Sequence, residues 1–250
     1  MNINKIITYK NIQQENTEFV DAAIKDLFIT ASRDVIALWV KRIDERIVKN
    51  RGLKFWFMRN NDEYASGTFL YSHCTLSAVK SIYLLFDFIK SDEGQKAWMS
   101  LIDAYDYIDV AKIFLNKYKI QSEGLDAFTH RIESLEKVIF PTHHLFLSPG
   151  AKETLGNCNI CGSDYFECEH IEREIYNGML CLRINRKILE ANHIALVEKP
   201  RDRRCIILTI QNTDGTKLEI FSRKRKIGEK NADEMTLNAI IHNFRQPVFN

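Results

Sequence analysis

Apolar residues recur at intervals of three and four through the first 140 residues, the spacing of helices that each bury one stripe. In TEFVDAAIKDLFITASRDVIALWVKRIDERIV the stripe is Phe19, Ala23, Leu27, Ala31, Val35, Leu38, Ile43 and Ile47. It predicts one long helix, capped by Asn16 or Thr17 and stopped by Asn50 with Gly52. LKFWFM (53–58) is expected as a short strand or buried connector, and RNNDEYASG after it as a turn-rich loop. A second helix is expected from about Thr75 to Lys90. A third starts at the Ser91, Asp92, Glu93 signal and runs through WMSLIDAYDYIDVAKIFLNKY. A fourth covers about Gly124 to Ile139, where Pro141 disfavours helix in the residue before it. Four consecutive helices with short connections predict an antiparallel bundle.

The period disappears after Pro141. THHLFLSPGAKETLGN, with Pro149, Gly150 and Gly156, reads as a connection, and GMLCLRIN, HIALVE and CIILTIQ read as strands rich in β-branched residues. Asp214 and Gly215 lie between two alternating runs, RCIILTI and KLEIFSRK, which predicts a hairpin. NADEMTLNAIIHNF is expected to close the chain as a helix capped by Asn231, docking through Met235, Leu237, Ile240 and Ile241. The fold class is therefore α+β: a helical bundle domain over 1–140, a connector over 141–155, and a β-rich module with a final helix over 156–250.

Composition bounds the class of molecule. With 45% hydrophobic residues in 250, and few Pro or Gly, the chain can bury a real core and does not read as disordered or fibrous. Its longest apolar stretches, such as SIYLLFDFI, fall short of a bilayer span, so no membrane segment is expected. The start lacks an apolar core followed by a small-residue cleavage site, so a cytosolic setting is expected. Net charge is only +2 but unevenly spread, mostly acidic from Glu153 to Glu174 and mostly basic from Arg183 to Lys226.

The densest chemistry is CNICGSDYFECEH, residues 158 to 170. In a reducing compartment closely spaced cysteines are better metal ligands than disulfide partners. Cys158 and Cys161 form a two-residue-spaced knuckle, with Gly162 allowing the tight backbone that brings amides toward sulfur. Cys168 and His170, one residue apart, point to the same side of an extended segment. Together they make C-x2-C-x6-C-x-H, three thiolates and one imidazole, which is a saturated structural zinc set with no position left for water. Cys181 is the alternative fourth ligand in place of His170, while Cys74 and Cys205 read as structural thiols.

The stretch CNICGSDYFECEH, with IYNGMLC and HIALVEKPRDRRC after it, resembles a zinc-binding module of bacterial and phage-derived proteins, some of them similar to phage prohead proteases. The likeness covers about residues 156 to 205, and it implies a small zinc-stapled β module of microbial or mobile-element origin. The protease's His and Ser pair has no counterpart in this sequence, and the helical first half departs from that fold.

Other candidate sites are weaker. Glu169, His170, Ile171, Asn192 and His193 superficially match a zinc-stapled HNH-like nuclease, but His170 would have to be ligand and base at once. Asp103, Asp106 and Asp109 recur one helical turn apart without the Glu-x-x-His pairs of a di-metal bundle, and are expected on a solvated face. His143 and His144 read as linker residues, and a dyad of Cys205 or Cys181 with His193 finds no support in the sequence. Arg201, Arg203, Arg204, Arg223, Lys224, Arg225 and Lys226 flank the predicted hairpin and are candidates for contacting nucleic-acid phosphates. The expected function is non-catalytic: a zinc-binding interaction or adaptor component with a protein partner. The alternatives are an HNH-like nuclease and a nucleic-acid-binding module that uses the basic hairpin.

Overall fold

The computed structural model describes residues 3–29, 32–140, 146–228, 234–241 and 249. Five helices come first: α1 (Ile3–Leu27), α2 (Arg33–Arg59), α3 (Glu63–Lys90), α4 (Gly94–Tyr118) and α5 (Glu123–Ile139). Small antiparallel sheets follow, so the class is α+β as the sequence predicts. The strands are β1 (Phe146–Glu153), β2 (Asn157–Cys158), β3 (Ile175–Tyr176), β4 (Met179–Leu180), β5 (Arg183–Ile184), β6 (Ile188–Val197), β7 (Ile207–Gln211), β8 (Thr216–Glu219), β9 (Arg225–Ile227) and β10 (Thr236–Ala239).

The single long first helix of the sequence reading is two helices. Ser32 takes an extended conformation and its hydroxyl accepts from Val35 N at 3.4 Å, so it caps a new helix rather than continuing the old one. The break resets the phase of the stripe. Ile36, Trp39 and Ile43 are buried in α2, whereas Leu38, on the predicted stripe, is 53% exposed. Trp39 Nε1 donates to Asp26 Oδ2 at 3.0 Å and Tyr83 Oη donates to Ala23 O at 2.8 Å, tying α1 to α2 and α3.

α2 runs on through LKFWFM, where a strand or connector is expected. Asn50 does not stop it. It lies on the buried face, donating from Nδ2 to Asn16 Oδ1 (3.2 Å) and Ser72 Oγ (3.0 Å), and Phe57 stacks on Phe69 with ring centroids 5.5 Å apart. The true stop is Asn60, Asn61 and Asp62. Asp62 accepts from Ala65 N at 3.1 Å and so starts α3 within the expected loop, well before Thr75. α3 is the central helix, with Ser66, Gly67, Ser72, Ser77, Ala78 and Ser81 keeping it slim enough for its neighbours to close in. A Cβ on Gly67 would lie 2.9 Å from the Phe114 ring of α4.

Lys54 is the unusual member of the α2 core face. It is 3% exposed, no carboxylate pairs with it among the described residues, and burial pushes its ammonium down to about 8, against the pull of Cys74 and with the push of Arg51. The unfolded lysine binds its proton more tightly, so the penalty is complete below pH 8 and fades as pH rises to the unfolded value near 10.5. Lys54→Met should therefore raise stability at pH 7 by about 2 kcal/mol, less than the full proton-affinity difference because the cavity relaxes. Urea unfolding of wild type and variant should show that gain shrink as pH rises from 8 toward 10.5.

The connector expected over 141–155 contains β1, which pairs antiparallel with β6 from Phe146↔Val197 to Glu153↔Ile188. The predicted hairpin is present: β7 pairs with β8, and Gly215 closes the turn at a φ of 87° by donating from N to Asn212 O at 3.0 Å. It belongs to a four-stranded sheet in the order β10, β7, β8, β9. The expected final helix is corrected by this sheet. Thr236–Ala239 is a strand on β7, with Leu237 opposite Ile210, because the free edge of β7 satisfies its backbone. Leu237 and Ile241, read as a docking face, are 47% and 42% exposed, and the expected cap Asn231 lies outside the described residues.

Helices and sheets share one buried cluster, which continues from α3 and α4 into Phe146, Ile175, Leu180 and Ile206. Trp98 of α4 is at the junction. Phe140, Phe146 and Phe221 surround its ring, its Nε1 donates to Arg203 O at 2.9 Å, and Gly94 has no room for a Cβ, which would meet Phe221 Cβ at 2.6 Å. The β3–β4 turn, Asn177 and Gly178, plugs into the α2–α3 corner. Asn177 donates from Nδ2 to Met58 O (3.2 Å) and accepts from Ser66 Oγ (3.1 Å), and a Cβ on Gly178 would strike the Ser66 backbone at 2.8 Å.

Candidate metal centre

Cys158 ends β2, and the chain turns back at once: Gly162 N donates to Cys158 O (2.8 Å) and Cys158 N to Ser163 O (3.0 Å). Gly162, at a φ of 78°, makes the turn and has open space around it. Within this knuckle Ile160 N points at Cys158 Sγ from 3.4 Å. Asp164 then caps a short 3-10 turn, Tyr165–Glu167, by accepting from Phe166 N at 2.9 Å, and this turn delivers Cys168. His170 N donates to Cys168 Sγ at 3.2 Å, a second backbone amide aimed at sulfur. Two tyrosines pin the segment that follows, since Glu172 N donates to Tyr165 Oη (2.7 Å) and Ile171 N to Tyr176 Oη (3.0 Å).

The outcome is one gathering of donors. The ligand atoms of Cys158, Cys161, Cys168 and His170 all lie within 4.8 Å of one another, and among the described residues no other such group forms. Cys161 Sγ is 3.4 Å from Cys168 Sγ, and His170 Nδ1 is 3.2 Å from Cys168 Sγ. A tetrahedral ion with metal–sulfur bonds of about 2.3 Å requires sulfur–sulfur edges of about 3.8 Å, so these separations suit a metal ion bound in their midst. The electrostatics favour a thiolate at the mouth. Hydrogen bonds from Ser163, first from its backbone and then its side chain, together with Cys168, bring the exposed Cys161 thiol down to about 6. Burial pushes Cys168 up to about 11, and the His170 ring lies edge-on to Tyr176 at 4.7 Å.

Cys181 stands behind this group. It is fully buried between β4 and β5, its Sγ lies 3.8 Å from Cys158 Sγ, and burial pushes its thiol up to about 12. Asn159, which sequence reasoning passed over, holds it there by accepting from Leu182 N (2.8 Å) and donating to Leu180 O (2.9 Å). The remaining cysteines, Cys74 and Cys205, are buried away from the group.

The other candidate residues are dispersed. His193 is on β6, exposed and opposite Gly150, and takes no part in the Cys/His group; His143 and His144 lie outside the described residues. Of the seven basic candidates, Arg203 pairs with Glu136 and stacks over Trp98 and Tyr105, Lys224 pairs with Asp92, and Lys226 is 2.7 Å from Glu219. Arg204 is 5% exposed and pairs with Asp103 (2.5 Å), Asp106 (2.7 Å) and Asp202 (3.2 Å). Asp103 and Asp106 are thus not a solvated face as expected, but the counter-charge of a buried guanidinium 98 and more residues away. Arg201, Arg223 and Arg225 remain exposed. Among the described residues no helix is long and apolar enough to cross a membrane. No protein-family model, curated protein or solved structure matches the chain.

Proposed function

We propose that this chain is a non-catalytic zinc protein, in which one ion bound by Cys158, Cys161, Cys168 and His170 staples the segment between β2 and β5 onto the helical half, for use as an interaction component. The observation that carries the reading is the complete four-donor group, all within 4.8 Å, supplied by one thirteen-residue segment. Soft thiolates with imidazole select zinc over magnesium or calcium, and four protein donors close the sphere against a catalytic water. The surface for a partner is the β1–β6 ribbon, where Leu189, Ile194 and Leu196 are 68%, 53% and 52% exposed. The basic hairpin supports a nucleic-acid role less well, since four of its seven cations already hold carboxylates.

Metal analysis of the purified protein should give about one zinc per chain, lost in Cys161→Ser, with no hydrolysis of DNA or RNA. A chain free of zinc, or nucleic-acid cleavage that disappears in His193→Ala while zinc is retained, would replace this reading.

A further inference from the structure

We propose that Cys181 is a reserve ligand of this same centre, a fifth donor that takes over when the imidazole of His170 is lost. The inference rests on the reading above that the group binds zinc. A tetrahedral zinc needs four donors; Cys158, Cys161, Cys168 and His170 form the group, and a fifth thiol, Cys181, lies just outside it against Cys158. The Cys158–Cys181 sulfur separation of 3.8 Å equals the edge that two thiolates on one zinc would span, so one edge of a four-sulfur site is already in place.

The placement of Cys181 is specified by the knuckle itself. Asn159 sits between the first two ligands, and its side chain grips the backbone on both sides of Cys181, accepting from Leu182 N and donating to Leu180 O. Asn159 N also donates to Leu182 O at 3.1 Å. On the far side Cys181 N donates to Glu174 O and Cys181 O accepts from Arg173 N, both at 2.8 Å. Any shift of Cys158 therefore carries Cys181 with it. His170, by contrast, is partly exposed and rests on an edge contact with Tyr176. The centre thus has a replaceable outer donor and a fixed inner one. When Cys181 binds, its thiol proton passes to water and the thiolate forms the fourth bond to zinc; no redox change is involved.

X-ray absorption on zinc-loaded protein counts the sulfurs. Wild type and Cys181→Ala should both hold one zinc with three sulfurs and one nitrogen. His170→Ala should still hold one zinc, now with four sulfurs, and His170→Ala with Cys181→Ala should lose it. Three sulfurs plus an oxygen in His170→Ala, or loss of its zinc, would overturn the proposal while the wild-type zinc upheld the binding reading. Four sulfurs in the wild type would make Cys181 a resident ligand and overturn it equally, and a wild type without zinc would end both ideas.

Discussion

Stripping the metal with a chelator should unfold residues 156–184 and leave the helices standing. The reason is the poverty of that segment on its own. Its strands are two residues long, and its fully buried apolar side chains are Cys158, Ile175, Leu180 and Cys181. Burying a side chain of this size contributes only about 1.5–3 kcal/mol, while ordering each residue costs roughly 1–2 kcal/mol, so the balance is unfavourable without another term. A structural zinc supplies on the order of 10 kcal/mol or more of binding free energy at neutral pH, a larger contribution than any single buried side chain of the segment makes. The helical half has no such dependence, because its core is closed by Leu70, Leu76, Ile82, Leu101, Ile108 and others on α3 and α4. Hydrogen exchange is the appropriate measurement. On metal removal, or in Cys158→Ser, amides from 157 to 184 should exchange at nearly unprotected rates while those of α3 and α4 stay protected. The Asn177 contacts to Met58 and Ser66 should be lost with the segment, loosening the α2–α3 corner but not the helices. Uniform protection before and after chelation would show that the segment stands without an ion.

How much of this was legible in the sequence depends on how local each signal is. The Cys/His group was legible because its members lie within thirteen positions, where spacing restricts which side chains can meet. The β7–β8 hairpin was legible for the same reason, through Asp214 and Gly215. Cys181 was visible as a competitor for His170, but Asn159, which positions it, carries no signature outside the fold. The first helix was misread because its apolar stripe continues across a break that only the Ser32 cap marks. The C-terminal strand was misread because Met235 to Ile241 has helical spacing, and what decides its state is the open edge of β7, a non-local fact. LKFWFM was expected as a short strand or buried connector, whereas burial of Phe57 against Phe69 and Tyr9 keeps it in the helix.

The same non-locality hid Arg204, and the consequence for stability is large. Arg204→Met should destabilise the protein by about 3–5 kcal/mol, because removing one partner of a buried ionic group leaves the others uncompensated. Asp103 and Asp106 project from α4 and Asp202 from the segment before β7, so the guanidinium locks the sheet half to the helical half at a point beside Trp98. Burial already pushes the Asp106 carboxyl above the usual carboxylate range, with Arg204 pulling it back. Without the guanidinium that upward push has no opponent, so Asp106 should take up a proton in the folded variant at a pH where the unfolded chain is ionised. A folded pKa above the unfolded one adds stability as pH falls through it, and the deficit of Arg204→Met should therefore be smaller at pH 5 than at pH 7. Adding Asp103→Asn and Asp106→Asn to the variant should recover much of the loss at pH 7 and flatten its pH dependence, since the amides carry no charge to strand. Urea unfolding at the two pH values decides the matter. A deficit that is independent of pH would mean that Arg204 acts through the packing of its stem, and a deficit below about 1 kcal/mol, the scale of an exposed ion pair, would mean that the cluster is solvated after all.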